Sequence, residues 1–148
     1  NFDTNVTTGY IERWIYKVNP LTHFDFREYL DDKSRSLTHP EKELVKSGQQ
    51  ISKVVFDRIY ELIKKVVYAT SHKVCQGTHL ENNITFQLFG VDIAVNENMH
   101  PQIMEINIGP NLGTHDGRDS ELKHRVVRDI FKTLKLVPDT SNGFIQII

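Results

Sequence analysis

The chain has 148 residues, about the size of one domain, and 39% of them are hydrophobic. That suffices to bury a core without metal or disulfide staples, and no apolar run approaches the roughly 20 residues that a bilayer span needs. Its 18 Lys and Arg against 19 Asp and Glu leave a formal charge of −1, without the basic excess of a general nucleic-acid binder. The single cysteine, Cys75, excludes an internal disulfide framework and a cysteine zinc site, and no charged-then-apolar leader opens the chain. Together these features point to a reducing, cytoplasmic compartment. The first residue is Asn1 rather than Met, which sets the expectation that something upstream was removed or never included.

Residues 1–20 mix β-branched and aromatic side chains with Asn and Thr and read as strand or irregular structure, closed by Pro20. Residues 21–30 predict a short helix with Thr22 or Asp25 near its start, and 31–40 a polar loop. The strongest helical signal runs from 41 to 73. Ile51, Val54, Val55, Ile59, Leu62, Ile63, Val66 and Val67 recur at three- and four-residue steps, giving one apolar stripe. Gly48 is a weak point near its start and Gly77 a plausible stop. From Ile84 the period changes to two: 84–95 reads as a strand, 96–100 as a turn and 101–108 as a second strand. The Gly- and Asn-rich stretch 109–119 is a loop. A second amphipathic helix follows, with Leu122, Val126, Ile130 and Leu134 four apart, Asp119 or Ser120 as cap, and Pro138 beyond its end. The tail 141–148 is apolar enough to dock as a strand. The class is α+β, with the 51–67 stripe expected to pack against the apolar face of the sheet.

Taking Asn96 opposite Pro101, the hairpin register sets Asp92 opposite Glu105. Opposed residues of an antiparallel pair share a face, with Cβ atoms roughly 5 Å apart, and alternation adds Asn107 to that face. Two readings follow. The carboxylates are solvated groups on the outer face of a half-buried sheet, or they hold a divalent cation that offsets their mutual repulsion. Hard oxygen donors at this spacing suit Mg²⁺ shared with substrate phosphates.

The wider string, residues 86–112, resembles the metal-binding hairpin of the tubulin-tyrosine-ligase-like family, a branch of the ATP-grasp carboxylate–amine ligases. The matching elements are Phe86, Leu88, Phe89, Gly90 and Asp92 in the first strand, then Glu105-x-Asn107 thirteen residues after the Asp, then Pro110 and Leu112. The following helix, with Asp119, Leu122, Lys123, Val126 and Asp129, resembles the closing helix of that family, and Thr4-Asn5 resembles the end of a short nucleotide-site motif. Residues 84–135 carry most of the likeness. Two positions differ: Phe2-Asp3 precede Thr4 where the family usually has His-Leu, and Ala94 stands where a larger apolar side chain is common near the base.

The resemblance implies an ATP-grasp C-terminal lobe, an antiparallel sheet packed against long amphipathic helices, spanning 1–148 with the upstream lobe absent from this chain. It implies a ligase that joins an amino acid to a protein carboxylate through an acyl phosphate, of tyrosine-ligase, polyglutamylase or polyglycylase type. Asp92, Glu105 and Asn107 are then the Mg²⁺ ligands, Thr4 and Asn5 contact ATP, and no catalytic residue is expected beyond the metal ligands. The implied partners are a free amino acid and an acidic protein tail such as that of tubulin, in the cytoplasm and at the cytoskeleton, with neither nucleic acid nor membrane. The competing reading is a catalytically silent module that keeps the fold and docks an acidic partner on the basic helix bearing Lys123, His124, Arg125, Arg128, Lys132 and Lys135. The seven histidines form no close pair at ligand spacing on one predicted element and read as surface or loop residues.

Overall fold

The structure is a computed structural model that describes residues 22–32, 34–74, 86–114 and 117–147. These residues divide into two compact units: one runs up to Ile59 and includes Val95–His100, and the second comprises the remainder. Four helices and a two-stranded antiparallel sheet among the described residues bear out the α+β class.

In the first unit, α1 (His23–Asp31) and α2 (His39–Lys46) each start on a capping box. Thr22 accepts from the Asp25 N–H while the Asp25 carboxylate accepts from the Thr22 N–H, and Thr38 and Glu41 repeat the arrangement. Each threonine satisfies an orphan helix donor, an effect of about 1 kcal/mol. Glu41 is only 3% exposed and is held by Arg35, which pairs with it and also donates to the Tyr29 and Leu30 carbonyls at the end of α1. One guanidinium thus joins the end of α1 to the start of α2. Burial alone would raise the Glu41 carboxyl; the Arg35 and Thr38 hydrogen bonds and the Arg35 charge bring it below the ordinary carboxylate value.

The sequence predicts one helix over 41–73, but the structure has two. Gly48 takes φ +76, the Gln49 N–H reaches the Leu44 carbonyl, and the Gly48 N–H reaches Val45. This is a Schellman ending with glycine in the left-handed position, so the Gly48 weak point is a helix stop. The chain restarts as α3 (Ile51–Val74). Its first turn is capped from a distance: the Asp31 carboxylate accepts the Ser52 N–H at 2.9 Å and the Gln50 amide at 2.6 Å.

Burial along the α3 stripe is graded. Ile51, Val55 and Phe56 are buried, whereas Val54 and the positions from Ile59 to Val67 are half-buried. The buried end meets α1. The Phe56 ring lies 6.1 Å from Phe26 and 6.3 Å from His23, with the Arg27 guanidinium 3.6 Å over it. Ile51, Val55 and Phe56, with Leu30 and Met99, are the buried apolar side chains among those described, each contributing on the order of 1.5–3 kcal/mol by transfer.

The second unit contains β1 (Phe89–Val95) except for its last residue, β2 (Pro101–Ile108), and α4 (Gly117–Thr133). The helix begins two residues before the expected Asp119, which sits in its first turn. It ends on a second Schellman pattern, with Leu136 N–H to the Phe131 carbonyl and Lys135 N–H to Lys132. Residues 141–147 do not form the expected strand. They are tied down by side chains instead: the buried Asp129 accepts the Gly143 N–H at 3.0 Å, and Lys132 donates to the Ser141 carbonyl and pairs with Asp139. The Lys132 bond leads the causes that hold the exposed Asp139 carboxyl at about 2, with the Ser141 backbone and hydroxyl next. Residues 1–21 and the expected stop at Gly77 lie outside the described residues.

Candidate metal-binding hairpin

The hairpin turn has three residues, 97–99. The Asn96 N–H donates to the His100 carbonyl and the Met99 N–H to the Asn96 carbonyl, each at 3.0 Å. Asn96 therefore meets His100, not Pro101, and the register beside the turn is one residue off the sequence expectation. The Asn96 side-chain oxygen accepts from the Asn98 and His100 N–H groups, as Asn does when it folds a turn around itself. Met99 takes φ +61, with its side chain 4% exposed. Arg58 of α3 donates to the carbonyls of Asn98 at 3.1 Å and Met99 at 2.9 Å.

At the open end the Gly109 N–H donates to the Leu88 carbonyl at 3.2 Å, which restores the expected offset. Seven residues of β1 thus face eight of β2, and the surplus residue is a β-bulge in the second strand. Near the turn the strands are in phase, with Ile93 and Ile103 half-buried and Ala94 and Gln102 exposed; from Met104 to Ile108 every residue of β2 is exposed.

Asp92 stands in β1, Glu105 and Asn107 in β2, and all three are exposed. Among the described residues, none of the three side chains has a hydrogen-bond or ion-pair partner. Two carboxylates and an amide oxygen are hard donors of the kind Mg²⁺ takes, alongside waters and phosphate oxygens, and no group among the described residues competes for them. That donor chemistry fits the implied ion. No group of three or more His, Cys, Asp or Glu that could hold a metal occurs among the described residues. Thr4 and Asn5, the nucleotide contacts that the resemblance implies, lie outside the described residues.

The loop after Asn107 is held from two sides. Gly109 turns with φ +74, and Pro110 packs so closely on Gly90 that a Cβ there would stand 2.9 Å from the proline Cβ. The Asn111 side chain accepts the Gly113 N–H at 2.8 Å, and the Gly113 carbonyl accepts from Lys123, which also pairs with Asp119 at 2.9 Å. Lys123 therefore joins this loop to α4. Other charges on that helix are also engaged: Arg125 lies 3.8 Å from Glu121, Lys132 pairs with Asp139, and His124 Nδ1 is 2.7 Å from the Ser120 carbonyl. Arg58 and the Gly90–Pro110 contact carry no local sequence signal, because each joins positions far apart in the chain. A cleft of about 320 Å³ lined by Asp31, Val45, Gly48, Gln49, Gln50 and Ile51 offers one carboxylate, already bound to Ser52 and Gln50.

Residues 21–143 match the tubulin-tyrosine ligase family. That is most of the chain, and the chain belongs to this family. It is similar to a Tetrahymena thermophila protein named "Probable beta-tubulin polyglutamylase", at 30% identity over 139 residues, 89% of this chain and 12% of the relative. It is also similar to the tubulin polyglutamylase ttll-5 of Caenorhabditis elegans, 33% identical over 59% of this chain and 12% of that protein. The human tubulin polyglutamylase TTLL7 is 23% identical over 90% of this chain and 16% of its own length. The chain thus spans less than a fifth of each of these relatives. No solved structure matches it significantly.

Proposed function

We propose that the protein containing this chain is an ATP- and Mg²⁺-dependent ligase that joins glutamate to a carboxylate on the acidic tail of tubulin, and that residues 1–148 are the C-terminal part of its ATP-grasp domain. The observation that carries this reading is the donor set Asp92, Glu105 and Asn107, without partners among the described residues, on neighbouring strands of a member of this family. The names of the relatives, which refer to glutamylation of tubulin, supply the amino acid and the acceptor. With the surplus residue of β2 on the turn side of Glu105, Asp92 opposes Glu105, and Asn107 follows on the same face. The in-phase burial near the turn and the Gly109–Leu88 bond bracket the surplus residue between 104 and 109, a stretch that contains this position.

In such a site the two carboxylates and the amide would hold the ion, and Gly90, Pro110 and Lys123 fix the strand and loop that bear them. When bound, the ion would supply charge neutralisation for phosphoryl transfer from ATP to the acceptor carboxylate, the activation that precedes amide formation. The chain's own residues contribute positioning rather than proton transfer, which suits a reaction driven by electrostatic preorganisation. Thr4 and Asn5 are proposed to contact the nucleotide. The silent-module reading is less favoured, because Lys123, Arg125 and Lys132 of the basic helix already face acidic partners.

The test is Glu105→Gln in the complete protein, with Glu121→Gln as the surface control. Loss of one electrostatic contact to a transferring group costs about 10²–10³ in turnover, on the order of 3–4 kcal/mol. Ligation by Glu105→Gln should fall by that factor while Glu121→Gln stays near wild type. The metal-free melting temperature of Glu105→Gln should hold or rise slightly as repulsion with Asp92 is relieved. Near-normal ligation by Glu105→Gln at saturating Mg²⁺-ATP would move the metal site elsewhere.

A further inference from the structure

We infer that Asn142–Gly143 is a site of spontaneous deamidation, and that the buried Asp129 carboxylate holds it in check by keeping the Gly143 N–H. The inference is independent of the metal reading. This is the only Asn-Gly pair in the sequence, and it lies in the tail that Asp129 and Lys132 tie to α4. In such a pair the glycine nitrogen attacks the asparagine Cγ, and glycine has no side chain to crowd the approach. Asn142 is exposed. Its side-chain oxygen accepts the Phe144 N–H at 3.0 Å, and its amide nitrogen donates to the Thr140 carbonyl at 3.1 Å. Negative charge develops on that oxygen when Cγ is attacked, so the Phe144 N–H favours the step.

The attacking nitrogen, by contrast, is held. The Gly143 N–H donates to Asp129 Oδ2 at 3.0 Å, and Asp129 is only 7% exposed. Reaction requires that nitrogen to give its proton to hydroxide, and a carboxylate beside it opposes the negative charge that results. Ring closure then forms the N–Cγ bond and expels the side-chain –NH₂, which takes a proton from water and leaves as ammonia. The succinimide nitrogen bears no hydrogen, so the buried carboxylate loses this donor, a costly state away from water. Water opens the ring at Cγ to give aspartate at 142. Attack at the main-chain carbonyl instead gives isoaspartate, whose backbone is longer by one methylene. Either product puts a carboxylate where the amide donated to Thr140, in a segment that already carries Asp139. The attachment of the tail to α4 thus changes irreversibly, with water as the only co-reactant.

The test incubates the complete protein and a synthetic peptide of residues 139–147 side by side at mildly alkaline pH. Conversion is read as the mass gain of the tail fragment on exchange of –NH₂ for –OH, and isoaspartate by enzymatic methylation. The protein must surrender a hydrogen bond to a charged group before the ring closes, so the peptide should deamidate about 10-fold faster. Asp129→Ala should bring the protein close to the peptide rate. Asp129→Asn, which keeps an acceptor oxygen without the charge, should fall between. Asn142→Gln should remove the product, and isoaspartate persisting in that variant would place the reaction at another residue and overturn the assignment. Equal rates for wild-type protein and peptide overturn the proposal. So does a slower reaction in Asp129→Asn, which would make the carboxylate the base that takes the proton. If the Asp129 variants do not fold, amide exchange at Gly143 in the wild type carries the test. Slower exchange there than in the peptide supports the hold by Asp129, and exchange as fast as in the peptide overturns it.

Discussion

Lys135 holds φ +57 at the end of α4, in the position where Gly48 ends α2 at φ +76. The two helix endings have the same hydrogen-bond pattern and differ in the residue asked to adopt it. A Cβ makes the left-handed region costly, and glycine removes that cost while adding freedom to the unfolded chain. The balance favours Lys135→Gly by about 0.5–1 kcal/mol, seen as a higher urea midpoint with unchanged slope; a lower midpoint would show that the lysine makes a contact worth more than the strain. Gly90 answers a different need. Nothing about its own backbone requires glycine, and it is the Pro110 ring that leaves no room for a side chain.

At the scale of elements, α1 and α2 depend on a charge pair shielded from water, with the Arg35 side chain 14% and that of Glu41 4% exposed. Breaking such a pair from one side costs about 3 kcal/mol, because the remaining charge is stranded. The Glu41 carboxyl is depressed in the folded state, so its contribution is complete above the ordinary carboxylate range and is lost as pH falls through the folded value. The gap in melting temperature between wild type and Glu41→Gln should therefore be constant near neutrality and shrink below about pH 4.3; a gap that persists at pH 2 would assign the effect to packing. These elements were largely legible in the sequence. Thr22 with Asp25 is a local signal for a cap, the three- and four-residue spacing gave α3, and the change to period two gave the hairpin. What could not be read is whatever is set by a partner far along the chain. Asp31 caps α3 from 21 residues away, and Arg58 reaches 41 residues to a turn whose length decides the register. The tail misled for the same reason: its apolar composition suggested a strand, but Asp129 and Lys132 settle its path. The candidate ligands themselves were named from spacing and resemblance, and the surplus residue of β2 was not foreseen.

For the molecule as a whole, the unequal strands of the hairpin have a consequence for handling the protein in solution. β2 presents Met104, Ile106 and Ile108 to solvent, Met104 at 69% and Ile108 at 77% exposure. Among the described residues its sole ladder partner is β1. A strand with apolar side chains and an open row of backbone donors and acceptors is a template for pairing with another molecule, and natural sheets guard such edges with lysine or proline. This strand has Pro101 at its first residue and no lysine along its length. The 148-residue chain prepared alone is accordingly expected to self-associate as its concentration rises, with light scattering growing faster than linearly. Ile108→Lys, placed as a gatekeeper at the outer end, should delay the onset several-fold without changing the far-ultraviolet spectrum. Identical scattering from the two chains would mean that association begins on another surface, and that the open end of this hairpin is better guarded than its composition suggests.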